Sequence, residues 1–139
     1  MNFNWPVRVY YEDTDSGGVV YYANYLKFME RARTEFLRHL GFEQDQLIEQ
    51  QNIIFVVHFV QLDYKSPAQF NDELTVTANL IELKKASMLF EQKIFRQNDN
   101  VNQQDNILCH GQIRIACLQA DTFKPCAIPK SIMEVAGVD

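Results

Sequence analysis

The sequence predicts an α+β fold in which one antiparallel sheet wraps one long helix. Two observations predict it. Apolar residues recur at helical spacing between about Val19 or Asn24 and Leu40. One β-patterned stretch precedes that run and four follow it. A lone amphipathic helix and a lone sheet each carry an apolar face that must be covered, and covering each other is the simplest solution. The 139 residues, 47% hydrophobic and 12% aromatic, suit one domain spanning 1–139 with a real core.

The elements follow in chain order. Residues 7–13, "VRVYYED", alternate, with Val7, Val9 and Tyr11 on one face and Arg8, Tyr10 and Glu12 on the other, so a first strand is expected there. "SGG" (16–18) breaks it. In the helix, Tyr25, Met29, Ala32, Phe36 and Leu40 form the apolar stripe, flanked by Phe28 and Leu37. Lys27, Glu30, Arg31, Arg33, Thr34 and Glu35 are expected on the opposite, solvated side. Arg38 and His39 suit the negative end of the helix dipole, and Gly41 suits the position just past the end.

Four strands are expected next, in a meander: 53–65, 73–83, 87–96 and 106–118. The second alternates cleanly, with Leu74, Val76, Ala78 and Leu80 against Thr75, Thr77 and Asn79. The last places Ile107, Cys109, Ile113 and Ile115 on one face. "IELKKAS" (81–87) reads as a tight basic turn between two strands, and "RQNDNVNQQDN" (96–106) as a polar loop. A short helical segment is expected behind Pro129.

Net charge is −5 and the pI about 5.1, which argues against nucleic acid as a partner, since phosphate neutralisation needs clustered Lys and Arg. Cys109, Cys117 and Cys126 are odd in number and contain no CxxC pair; they read as free thiols of a reducing compartment. The start, "MNFNWPVRV", has no signal-peptide pattern, and no run reaches the roughly 20 apolar residues of a membrane span. A cytoplasmic protein is expected.

The chemistry concentrates in "YEDTDSGGVVYYANY" (11–25), where Glu12, Asp13 and Asp15 lead straight into an apolar, aromatic run. An EF-hand loop from Asp13 would match at Asp15 and Gly18 but fails at Gly17 and at Asn24, where a bidentate Glu is needed. His39, His58 and His110 lack metal-ligand spacing, so no metal site is expected. The acids could simply cap a helix, whose dipole favours them. A catalytic reading uses the same parts. A helix N-terminus offers unpaired N–H groups to an oxyanion, glycines let the backbone approach a ligand, and a carboxylate can serve as nucleophile or as general base for water. With no GxSxG and no Cys–His pairing, a carboxylate is the best available catalyst for acyl-group hydrolysis, and no cofactor is needed.

The run "VRVYYEDTDSGGVVYYANYLKFMERARTEFL" resembles the signature of the 4-hydroxybenzoyl-CoA thioesterase family, and more closely its YbgC-type branch, the acyl-CoA thioesterases associated with the Tol–Pal system of Gram-negative bacteria. The resemblance extends from about Trp5 to the "PKSI" at 129–132. It implies a hotdog fold, a long helix wrapped by a five-stranded antiparallel sheet. It implies a homodimer with continuous sheets or a homotetramer, with active sites at subunit interfaces. It implies acyl-CoA as substrate, acyl carrier protein as an alternative acyl donor, and association with the inner face of the cell membrane. Asp15 would be the catalytic carboxylate, the backbone N–H of Tyr22 the oxyanion donor, and Tyr11 a further site residue. Lys84, Lys85 and Ser87 would contact the CoA moiety. The branch pattern "VVYHANY" reads "VVYYANY" here, so Tyr22 stands where a His is usual; a backbone contact survives that change. Two other readings remain: a dehydratase, disfavoured because no His sits in the turn, and a low-turnover binding module for acyl carrier protein or envelope machinery, disfavoured by an intact Asp15.

Overall fold

In the computed structural model, which describes residues 2–97 and 106–138, the long helix α1 runs Asn24–His39. Its stripe is the predicted one as far as Leu37: Tyr25, Phe28, Met29, Ala32, Phe36 and Leu37 are all buried, while Leu40, the expected last member, caps the helix and is half-buried. Each such side chain contributes roughly 1.5–3 kcal/mol by leaving water. The helix ends as expected, with Gly41 at φ 102°, where a side chain would be strained.

The sheet is built from β1 (Asn2–Arg8), β2 (Ile53–Tyr64), β3 (Glu73–Leu83), β4 (Ser87–Arg96) and β5 (Ile107–Gln119), all antiparallel, in the spatial order β1-β3-β4-β5-β2. Its inner face offers α1 the alternate residues Leu74, Val76, Ala78 and Leu80 of β3 and Met88, Phe90 and Ile94 of β4. Phe36 meets Phe90 edge-on, ring centres 5.5 Å apart. A short helix α3 (Lys130–Val135) follows Pro129 and buries Ile132.

Four expectations are corrected. The strands do not form one meander: β3, β4 and β5 do, but β2 lies beyond β5 at the far edge. The link from β2 to β3 therefore passes the ends of β5 and β4. The first strand is Asn2–Arg8, not 7–13. It tolerates Pro6 because β1 is an edge strand, where a missing N–H costs little. Beyond Arg8 the chain leaves the sheet for a 3-10 turn, Tyr11–Asp13. There the Asp13 carboxylate accepts the Tyr10 N–H at 2.8 Å, a local bond that competes with strand pairing.

An unanticipated helix α2 occupies Gln44–Gln51. It buries only Leu47, too little for an apolar period, and it stops at Asn52 in a left-handed conformation. Finally, Arg33 is buried, not solvated. Its Nη1 donates to Gln92 Oε1 (2.9 Å), and Gln92 Nε2 donates to the carbonyls of Met29 and Thr77, both 3.0 Å. Burial lowers the Arg33 pKa to about 10, with Glu30 opposing, so the guanidinium stays charged at neutral pH. Period alone cannot reveal this, because the partner lies 59 residues away. The polar stretch 96–106 lies for the most part outside the described residues.

The three cysteines are free, and Cys117 Sγ lies 3.7 Å from Cys126 Sγ. Gly111 packs where no side chain fits: a Cβ there would stand 2.0 Å from the Gln61 carbonyl oxygen on the neighbouring β2. Gly111→Ala must therefore push two paired strands apart. We expect a loss of about 3 kcal/mol, the upper range for overpacking, read as a melting temperature roughly 10 °C lower. Gln92→Leu should cost a similar ~3 kcal/mol in urea unfolding, since it strips a buried cation of its acceptor and two carbonyls of their donor. A change below ~0.5 kcal/mol would show that the Arg33–Gln92 network adds nothing.

Candidate active site at the strand–helix turn

All five strands have an end at the β2–β3 crossover, which runs from Lys65 to Asp72. The acidic turn rests on that crossover. Val20 N–H donates to the Ala68 carbonyl (2.8 Å), Ala68 N–H donates to the hydroxyl of buried Tyr25 (3.0 Å), and Val19 bridges to Gln69. The start of α1 is thus fastened to the sheet from outside the helix.

Within the turn, Asp15 is exposed. Its N–H donates to the Val19 carbonyl at 2.9 Å and its carbonyl accepts the Gly18 N–H at 3.0 Å. Its Oδ1 accepts the Gly17 N–H at 2.8 Å. One carboxylate oxygen is therefore anchored, and the described residues engage Oδ2 in no hydrogen bond. Gly18, at φ 79°, closes the turn in a conformation that disfavours side chains. Asp15 lines a surface cavity of about 430 Å³ with Tyr11, Thr14, Ser16, Gly18 and Phe70. Tyr11 stands on the 3-10 turn, not on a strand, and its ring meets Phe70 edge-on at 5.8 Å.

Tyr22 lies two residues before α1. The Tyr21 carbonyl accepts the Asn24 N–H at 2.8 Å, and the Asn24 side chain donates to the Asp13 carbonyl at 2.8 Å. This adds a tight turn to the helix start, and within it the Tyr22 N–H donates to no group among the described residues. Such orphan donors are what an oxyanion needs. The Tyr22 ring faces a separate cavity of about 280 Å³, shared with Val20, Tyr25, Tyr64, Lys65, Ser66 and Pro67. Tyr21 joins the two halves. Its ring centre is 4.8 Å from that of Tyr22. A hydrogen bond with the Tyr22 hydroxyl, that phenol's charge, slight burial and the Asp15 carboxylate all raise its pKa.

The structure brings Asp15, Tyr11 and Tyr22 to one end of the sheet. It does not bring Lys84, Lys85 and Ser87 there. Those residues turn from β3 to β4 at the opposite end, separated by the 11-residue length of β3, roughly 30 Å at ~3.3 Å per residue. At that turn Lys84 Nζ lies 3.4 Å from Glu82 Oε1, and Arg114 donates to both Glu82 and Ser87. Glu82 is held below the usual carboxylate range, first by Arg114.

Phe70, Tyr21, Tyr64 and Arg114 escaped sequence reasoning. Phe70 follows β2 in a loop without period; Arg114 alternates outward on a strand read for its inner face. The histidines are spread out: His39 packs on Phe3, His58 sits at an irregularity in the β2–β5 register, and His110 lies 3.5 Å from Asp63. Burial raises the Cys109 thiol to about 12, so it is no nucleophile at neutral pH.

The fold and the sequence have known counterparts. The family model described as "Thioesterase-like superfamily" matches residues 9–135. The acyl-CoA thioesterase YbgC of Haemophilus influenzae is 45% identical over 94% of this chain and 90% of its own. A solved structure of a probable thioesterase from Bartonella henselae superposes with a TM-score of 0.81 at 33% identity, over 93% of this chain and all of that one. The 1,4-dihydroxy-2-naphthoyl-CoA thioesterase of Synechocystis superposes at 0.86 with 19% identity, over 97% and 95% of the two chains, and shows the shared hotdog fold. The chain belongs to the thioesterase-like superfamily and, within it, to the YbgC acyl-CoA thioesterases.

Proposed function

We propose that this protein hydrolyses acyl-CoA thioesters to free acid and CoA thiol, with Asp15 as the catalytic carboxylate. The observation that carries the reading is the pairing, on one turn, of a carboxylate whose Oδ1 is anchored with a helix-start N–H that meets no acceptor among the described residues. In one route, Asp15 takes a proton from water and the resulting oxygen bonds to the carbonyl carbon. In the other, Asp15 itself bonds to that carbon and water opens the mixed anhydride. Either way the carbonyl electron pair moves onto oxygen, facing the Tyr22 N–H, and then returns as the C–S bond breaks and the thiolate takes up a proton. Tyr11 walls the cavity beside Asp15. The contribution proposed for position 22 is its backbone N–H, which does not depend on the side chain carried there.

CoA recognition by Lys84, Lys85 and Ser87 follows the family pattern. Their distance from Asp15 within one chain supports the reading in which a second copy supplies them, as in a homodimer with continuous sheets or its doubled tetramer. The exposed edge of β2, with Val57, Phe59 and Val60 uncovered, favours such pairing. From the same likeness the reading takes acyl carrier protein as an alternative acyl donor, a cytoplasmic setting and a link to the Tol–Pal system.

Asp15→Asn should lower kcat for acyl-CoA hydrolysis at least ~100-fold, the scale of losing a general base, with KM changed far less. Steady-state release of free thiol from a panel of short-, medium- and long-chain acyl-CoAs measures this, and turnover near wild type in the folded variant would remove Asp15 from the mechanism. Lys84→Ala with Lys85→Ala should raise KM more at low salt than at high, because exposed phosphate contacts are screened over ~10 Å at 0.1 M salt. A KM indifferent to both the variant and ionic strength would place the CoA elsewhere.

A further inference from the structure

Tyr64 closes β2, the edge strand of the sheet. Its hydroxyl reaches over the crossover and donates to the main-chain carbonyl of Tyr22 at 3.0 Å. That bond lands on the residue whose N–H the proposed chemistry uses. The Tyr22 N–H lies in the peptide plane it shares with the Tyr21 carbonyl, and a peptide plane is rigid. The Asn24 N–H holds that carbonyl at 2.8 Å. The next plane carries the Tyr22 carbonyl, and Tyr64 holds it. With both flanking planes pinned, the two soft torsions of Tyr22 are set, and so is the direction of its N–H.

The donor is itself held. The Tyr64 ring packs edge-on against Tyr25, 5.5 Å between centres, and against Tyr22 at 6.4 Å. Tyr25 is buried and bonded to Ala68. Burial, foremost, raises the Tyr64 pKa, so the phenol remains a neutral donor through the working range.

We propose that Tyr64 is a positioning residue for thioester hydrolysis: its hydroxyl, acting through the Tyr22 carbonyl, aims the Tyr22 N–H at the oxygen that becomes negative. This rests on the reading of Tyr22 as the oxyanion donor. It adds a specific consequence, that a side chain on the edge strand controls the rate and not the affinity. Misaiming a donor forfeits part of the 10²–10³-fold that an oxyanion contact supplies, while ground-state binding by CoA contacts is untouched.

The test compares wild type, Tyr64→Phe and Asp15→Asn on the best acyl-CoA. It also measures inhibition by a trifluoromethyl ketone of CoA, which hydrates to a tetrahedral adduct, and by CoA itself. Tyr64→Phe keeps the ring and removes only the donor. The expected result is a kcat about tenfold lower, with KM and the CoA inhibition constant within about twofold of wild type. The ketone inhibition constant should rise by the same factor by which kcat/KM falls. The melting temperature, which a merely structural role would move, should stay within a few degrees. Rates like wild type, a rise in KM alone, or a kcat loss that leaves ketone binding unchanged would each overturn the role of Tyr64. Wild-type turnover by Asp15→Asn would instead overturn the reading of the acid, and the ketone arm would still decide Tyr64.

Discussion

The hydrogen bond from the Val20 N–H to the Ala68 carbonyl, 2.8 Å long, governs where the candidate site sits. It exists because β2 and β3 occupy nearly opposite sides of the sheet, so their link must cross the strand ends. That crossover gives the acidic turn a rail. Without it, α1 would be held by its buried stripe and the Arg33–Gln92 network, which fix its position on the sheet but not the path of the residues before Asn24. With it, three residues of the turn are specified from outside: Val19 by Gln69, Val20 by Ala68 and Tyr22 by Tyr64. A reacting turn must be held to fractions of an ångström to act in a transition state, and here the holding groups lie mostly outside the turn itself.

The second constraint is the division of labour among the acids. Asp13 and Asp15 are two residues apart but face different tasks. The Asp13 side chain accepts the Tyr10 N–H and its carbonyl accepts both the Tyr21 N–H and the Asn24 side chain. It is a frame for the turn. Asp15 uses one carboxylate oxygen on Gly17 and lines a surface cavity. Sequence shows two like residues; their hydrogen bonds separate the one that frames the turn from the one proposed to react.

That difference marks how much could be read from the chain alone. The helix stripe, the bounds of β3 and β4 and the turn at 84–86 were legible because local periods encode them. That Asp15 and the helix start lie together was legible because they are contiguous. What escaped depends on partners far along the chain. Arg33 looks solvated until Gln92 is placed beside it. Tyr64 looks like one more residue of a long apolar strand until the crossover folds it over Tyr22. The position of β2 beyond β5 escaped because alternation specifies faces and not neighbours. Helix α2 escaped for the opposite reason: with Leu47 as its sole buried anchor, it has almost no tertiary signal to leave in the sequence.

One chain supplies the carboxylate proposed to react but leaves it exposed. Around Asp15 and Tyr22 stand Tyr10, Tyr11, Tyr21 and Phe70, all exposed, and the cation-bearing turn lies at the far end of the sheet. Electrostatic stabilisation of an oxyanion weakens sharply in high dielectric. A site of this design works best once something covers those rings. The edge of β2 carries both an unpaired ladder and the strand that ends in Tyr64. A second copy pairing there would shield the aromatics, bring its own basic turn toward the acid, and brace the residue proposed to aim the Tyr22 N–H. Assembly, dehydration and donor alignment would then be consequences of one strand edge.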